Sequence, residues 1–154
     1  MFKLISNDER RNHGRLLQGW LKGCDNGFVA VAFLKQSGLK QIESELREFL
    51  GRGGYLRFVV GTDFHLTEPE ALRVVLQLGC DFPRFEWKMV AQSPVSTFHP
   101  KYYRFRGEGR IWVLTGSANL TSGGLGGNIE VSTIAEDETS GPLATEAERI
   151  EAAL

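Results

Sequence analysis

The chain has 154 residues, 42% hydrophobic and 24% charged, with two cysteines and a formal net charge of −1. That suits one compact domain around one core, and it excludes a chain that grips nucleic acid by bulk positive charge. The isolated Cys24 and Cys80 exclude a disulfide scaffold or a zinc cluster, no apolar run approaches the roughly 20 residues that cross a bilayer, and the opening MFKLISNDERRNH lacks the parts of a signal peptide, so a cytoplasmic protein away from membranes is expected.

In chain order, Ser6-Asn7-Asp8-Glu9 has the pattern of a capping box and predicts a helix through about Leu21. GFVAVAFL, 27–34, is a continuous apolar run and predicts a strand buried on both faces. Leu39, Ile42, Leu46 and Leu50 carry helical spacing, and GRGG then breaks the chain. YLRFVVG is a second strand, Thr67-Glu68-Pro69-Glu70 a second capping box opening a helix that ends near Leu78-Gly79, and FEWKMVA a third strand. Alternating strands and helices predict an α/β sheet with helices on its faces.

The second half changes style. TFHPKYYRFRG and RIWVLTGSA are predicted as strands joined by a turn at Gly107-Glu108-Gly109. SGGLGG reads as a flexible loop, NIEVSTI as a last strand, and the acidic tail from about Ala135 ends in a helix over Thr145–Ala153. Pro100 sits awkwardly in a strand and implies an edge or a bulge there. No repeat or linker divides residues 1–154, so a single domain is expected. Charge is uneven: residues 84–110 carry six basic residues against Glu86 and Glu108, and residues 130–154 carry seven acids against Arg149. The basic segment either forms a patch that attracts phosphate or simply solvates a surface.

Residues two apart in a strand share a face. His99 and Lys101 therefore project together, continued by Tyr103 and Phe105, and Ser117 and Asn119 pair likewise at the end of the next strand. Glu130 lies early in the last strand. A neutral imidazole can attack phosphorus, a lysine holds a non-bridging phosphate oxygen, and Ser and Asn donate to charge that builds in the transition state. A carboxylate on the far imidazole nitrogen fixes its tautomer. No metal or cofactor is required. His65 stands at a strand-to-helix junction of the kind that faces ligands in α/β folds, although a lone histidine there is more often structural. His13 is expected to be solvated on a polar helix. SGGLGG lacks the Gly-Lys-Ser/Thr ending of a phosphate loop.

The order His-x-Lys, Gly-Ser-x-Asn, Asn-x-Glu resembles the phospholipase D superfamily, also called the HKD family. His99, Lys101, Gly116, Ser117, Asn119 and Glu130 carry the match, and VAFLKQSGL and FVVGTDF look like its single-motif bacterial members. The resemblance runs from about Gly27 to Ile134. It implies an α/β fold with a mixed sheet flanked by helices on both faces. It also implies metal-independent phosphodiester cleavage through a phosphohistidine, with His99, Lys101, Ser117, Asn119 and Glu130 as catalytic residues. One departure stands out: Arg106 occupies the position of the motif's usual Asp, with Glu108 nearby. In this superfamily that Asp is regarded as largely structural.

One histidine cannot both attack phosphorus and protonate the leaving oxygen on the opposite side. A single motif therefore implies a twofold homodimer in which two copies of His99 face each other, with the paired Lys101 side chains drawing phosphate or sulfate into the empty site. Nucleic acid, DNA first, is the expected substrate, and a phospholipase is disfavoured by the lack of an apolar surface segment. The alternative is a non-catalytic module that binds phosphate or nucleic acid and dimerises within a larger machine.

Overall fold

A computed structural model describes all residues, Met1–Leu154. Seven strands form one sheet: β1 (Phe2–Ser6), β2 (Asn26–Val31), β3 (Tyr55–Gly61), β4 (Phe85–Val90), β5 (Lys101–Gly107), β6 (Arg110–Gly116) and β7 (Val131–Glu138). Their spatial order is β1-β7-β6-β5-β2-β3-β4. β2, β3 and β4 run parallel, and β5, β6, β7 and β1 pair antiparallel. The sheet is mixed, as expected, because the βαβ units of the first half need crossover helices, while in the second half a tight turn joins β5 to β6 and a loop without a crossover helix joins β6 to β7.

Four helices cover it: α1 (His13–Gly23), α2 (Gln36–Gly51), α3 (Pro69–Asp81) and α4 (Pro142–Ala153). Strand alternation sorts the core into two layers. Val29, Val31, Tyr103 and Phe105 join Leu17, Leu39, Leu46 and Val75 under α1–α3. The intervening Phe28, Ala30 and Tyr102 join Ile111, Val113, Ala144 and Ala147 under α4. Helices thus lie on both faces, and β2 is buried along nearly its whole length, as its unbroken apolar run predicts.

Several local expectations change. Ser6-Asn7-Asp8-Glu9 is not a helix cap. Residues 2–6 form the edge strand β1, Asp8 Oδ1 accepts from the backbone N–H groups of Arg10 and Arg11, and α1 starts later with Asn12 as its N-cap, accepting from Arg15 N–H at 2.8 Å. Thr67-Glu68 does not close a capping box on α3 either. Glu68 Oε2 accepts from Gln36 N–H at 2.9 Å at the start of α2, and Thr67 Oγ1 donates to Gly61 O at 2.7 Å. Asp8 thus caps a local turn, and Glu68 is spent on a backbone group 32 residues away. Pro100 stands one residue before β5, where its carbonyl accepts from Ala32 N–H at 2.8 Å and no donor is demanded of it. SGGLGG is a single π-helical turn, Gly123–Gly127, with Leu125 fully buried, rather than a free loop.

Three of the six basic residues of the segment are neutralised by the acidic tail. Arg104 forms a buried bidentate pair with Glu151 (Nε–Oε1 2.7 Å, Nη2–Oε2 2.6 Å), Arg106 pairs with Glu148 at 2.9 Å, and Arg110 pairs with Glu136 at 2.8 Å. Of the two readings left open for residues 84–110, a continuous phosphate-attracting patch does not form, because Arg104, Arg106 and Arg110 face α4 and β7. Position 106 points into that layer, away from the side of β5 that carries Lys101 and Tyr103.

Candidate active site at the end of the sheet

Strand direction reverses between β2 and β5, between β5 and β6, and again between β6 and β7. As a result the C-terminal ends of β2, β3 and β6 and the starts of β5 and β7 meet at one edge: Val31 lies opposite Lys101, and Gly116 opposite Ser132. His99, Lys101, Ser117, Asn119 and Glu130 all fall at this edge. The structure places them as follows.

His99 is exposed and Lys101 is 9% exposed. Lys101 Nζ lies 2.7 Å from His99 Nδ1 and 3.1 Å from Nε2. The Phe33 ring stands edge-on to the His99 ring at 5.5 Å, and Lys101 Nζ sits over the same Phe33 ring at 5.8 Å. Burial pushes the Lys101 ammonium below the usual lysine range, and the Glu130 carboxylate partly opposes that shift.

Ser117 Oγ donates to Glu130 Oε2 and accepts from Val131 N–H at 3.1 Å. Gly116 permits this contact: a Cβ there would collide with Ser132 Oγ and Val131 O. The other Glu130 oxygen accepts from Asn128 Nδ2 at 3.3 Å. Within one chain, then, Glu130 meets Ser117 and not the His99 imidazole. Asn119 Oδ1 accepts from Phe33 N–H at 3.1 Å, which turns its Nδ2 donor away from that contact. Tyr103, fully buried, donates from its hydroxyl to Ala118 O at 2.9 Å and pins the Ser117–Asn119 turn; burial holds its phenol far above the usual tyrosine range.

Sequence reasoning missed a supporting layer. His13 is not solvated: it is 1% exposed, with Nδ1 2.7 Å from Asn7 Oδ1 and Nε2 2.8 Å from Ser132 Oγ. An amide oxygen only accepts, so Nδ1 carries the proton and Ser132 donates to Nε2. Asn7 Nδ2 also donates to the carbonyls of Gly124 and Asn128, both at 3.0 Å, locking the β1–α1 segment to the glycine-rich turn. Asp63 is buried, and its Oδ2 accepts from Phe98 N–H at 2.8 Å, one residue before His99. Its only sequence signal is an Asp just beyond a strand. Beside it, Phe64 and His65 have φ of 60° and 54°, a left-handed conformation that costs non-glycine residues about 1–3 kcal/mol each. His65 is exposed at this turn and makes no hydrogen bond with the other candidates.

A second group of cations lies elsewhere. Lys3, Arg10, Arg11 and Arg15 line a concavity of about 510 Å³ between β1 and the start of α1. The three arginines form no salt bridge, and Lys3 is 3.8 Å from Glu136. β1 ends at Ser6, opposite Val131 at the candidate-site end of the sheet, and Arg10 and Arg11 follow in the segment before α1. No group of three His, Cys, Asp or Glu side chains converges to hold a metal ion, and no helix is long and apolar enough to cross a membrane.

No family model and no curated protein matches the chain. Solved structures do. Nuc from Salmonella typhimurium, a phospholipase D family member, superposes with a TM-score of 0.68 at 13% identity, over 99% of this chain and 93% of its own. NucT from Helicobacter pylori gives 0.65 at 14% identity, over 99% and 95%. The phosphatidylserine synthase of Haemophilus influenzae gives 0.74 at 11% identity, over 96% of this chain but 37% of that one. At such identities the likeness is one of fold, and it joins the geometry in one conclusion: this chain has the phospholipase D-like fold.

Proposed function

We propose that this chain is a metal-independent phosphodiesterase acting on nucleic acid, with DNA the first substrate to test, through a phosphohistidine on His99. The observation that carries this is an exposed His99 imidazole in contact with the Lys101 ammonium at the sheet edge where Ser117, Asn119 and Glu130 gather. The likeness in fold to a phospholipase D family member supports the reaction class.

An arriving phosphodiester exchanges the Lys101–His99 contact for a Lys101–phosphate contact and uncovers the imidazole lone pair. A His99 nitrogen then forms a bond to phosphorus, the P–O bond to the leaving group breaks, and the leaving oxygen takes a proton. Water next attacks the phosphohistidine, loses a proton, and releases a phosphomonoester and free His99. Lys101, the Asn119 amide and Ser117 hold the non-bridging oxygens throughout.

The second proton-transfer group comes from a second copy of the chain. Within one chain the His99 ring meets Lys101 and Phe33 and hydrogen-bonds no carboxylate or other imidazole. Apolar side chains flank the site: Ile129 is 95% and Val131 55% exposed on either side of Glu130, with Leu4 and Phe2 continuing on neighbouring β1. A twofold pairing over this rim covers them, brings two His99 rings together, and lets Glu130 of one copy serve His99 of the other. Nucleic acid is preferred over lipid because Arg10, Arg11 and Arg15, without carboxylate partners, line a concavity beside β1 that offers further phosphate contacts to a polyanionic chain.

The test is cleavage of labelled single- and double-stranded DNA in excess EDTA, with acid quenching to trap a phosphorylated protein and gel filtration in parallel. The proposal expects EDTA-resistant cleavage, a trapped acid-labile phosphohistidine, and a particle of twice 17.2 kDa. DNA binding with no cleavage of any phosphodiester leaves the binding-module alternative, and an active monomer removes the shared site.

A further inference from the structure

The turn after β3 spends backbone strain on displaying an aromatic ring. Phe64, at φ 60°, is 60% exposed although a large apolar side chain gains nothing from water. The turn does not relax because hydrogen bonds hold it on both sides. Thr62 Oγ1 donates to Val90 O at 3.0 Å, Asp63 accepts from Phe98 N–H at 2.8 Å, and Thr67 donates to Gly61 O at 2.7 Å. The ring so displayed leads straight to the site. Phe64 stands edge-on to Phe33 at 6.3 Å, and Phe33 edge-on to His99 at 5.5 Å. Beside Phe64 opens a concavity of about 520 Å³ whose other walls include Gln92, Ser93 and Thr97, the last of these two residues before His99.

We infer that Phe64 is a stacking platform for the nucleobase next to the scissile phosphate, with the 92–97 segment presenting polar groups to the base edge. This rests on the phosphodiesterase reading and deepens it: the substrate is an unpaired nucleic-acid strand whose base can leave its stack and lie on a protein ring. A lipid headgroup or an isolated phosphate has no flat apolar face to reward an exposed phenyl ring in this position. Open π-faces tolerate any base, so the platform selects single strands without selecting sequence.

The experiment compares a labelled oligothymidine with the same strand made abasic, so that the phosphates are kept and the bases removed. kcat/KM is measured on both for the wild type and for Phe64→Ala, Phe64→Asn and Phe64→Tyr. The asparagine variant tolerates the left-handed backbone and so guards against misfolding. The wild type is expected to prefer the base-bearing strand by about 5- to 100-fold. In Phe64→Ala and Phe64→Asn that ratio falls toward one, and Phe64→Tyr restores it. A ratio unchanged in the alanine and asparagine variants overturns the inference, whether both rates hold or both fall together, because a purely structural or dimer-forming Phe64 affects the two strands alike. Fluorescence anisotropy with the same two strands reads the platform independently of turnover. If the wild type cleaves neither strand, the catalytic reading fails, while the ratio of the two affinities still decides the role of Phe64.

Discussion

Lys101 Nζ lies 2.7 Å from His99 Nδ1, so in the free chain the ammonium covers the proposed nucleophile. A phosphate oxygen competes for the same protons, which makes the two residues separable by experiment. His99→Asn is expected to reduce turnover to background while DNA is still bound and the fold is kept. Lys101→Ala is expected to lose affinity as well as rate, and Glu130→Gln to fall between, by about 10²- to 10⁴-fold in rate. Steady-state turnover set beside an independent affinity for each variant checks all three; wild-type turnover in His99→Asn removes the histidine from the mechanism.

Lys101 also predicts a pH dependence. Burial holds its ammonium below the ordinary 10.5. The positive charge that grips phosphate is therefore lost earlier as pH rises, and sulfate or DNA affinity should decline through a midpoint below 10.5. Glu130→Gln removes the charge that favours the ammonium, so the midpoint should move lower still. Titration of affinity against pH in both proteins measures the shift.

His13 is expected to tie stability to acid. Its desolvated imidazole titrates below the ordinary 6.5, the Glu130 charge opposing this only in part. The unfolded chain then binds the proton more readily than the folded one. The stability His13 contributes is complete above pH 6.5 and is lost as pH falls from there through the depressed folded value. Urea denaturation across this window should show wild-type stability dropping more steeply than that of His13→Gln.

Arg104 and Glu151 bridge β5 and α4 with both groups buried. Glu151→Ala leaves a buried guanidinium without its carboxylate and Tyr102 without its partner, and should destabilise the chain by about 3–5 kcal/mol. Exposed Arg149→Ala, whose partner Glu146 is equally exposed, should change stability by about 1 kcal/mol or less. Chemical denaturation of both variants separates the buried pair from the surface one.

The concavity of Lys3, Arg10, Arg11 and Arg15 predicts a salt effect. Each phosphate contact contributes about 0.7 to the slope of log affinity against log salt for a single strand, so Arg10→Ala, Arg11→Ala and Arg15→Ala together should lower that slope by about 2. Binding measured at several salt concentrations gives the slope; a slope equal to the wild type's would take the groove out of the substrate path.

The strands and helices with strong internal periodicity were legible. β2 announces itself as an unbroken apolar run, β3 as YLRFVVG, and α2 by Leu39, Ile42, Leu46 and Leu50, because each buries side chains at the repeat of its own backbone. β1 was not legible. Of its five residues only Ile5 is buried, so no alternation marks it, and only the pairing of Phe2–Ser6 with β7 makes it a strand. The same difference explains Asn7 and His13: their partners, Gly124, Asn128 and Ser132, lie more than a hundred residues away.

The sequence alone determined the chemistry on offer. A lone His-x-Lys, a Gly-Ser-x-Asn and a Glu, each at a strand end, name their side chains, and strand periodicity sets which of them share a face. Tertiary structure decided how those groups are spent. The basic run over residues 84–110 could be a phosphate patch or a solvated surface, because charge reads as free in a sequence until its partner is placed, and the fold lays Glu148, Glu151 and Glu136 against Arg106, Arg104 and Arg110. It also turned Glu130 to Ser117 within one chain, buried His13 beneath β7, and held Phe64 out in a strained turn, with the Phe33 ring between it and His99. Spacing along a chain conveys only local periodicity, whereas ion pairing, burial and strain depend on which distant segments packing brings together.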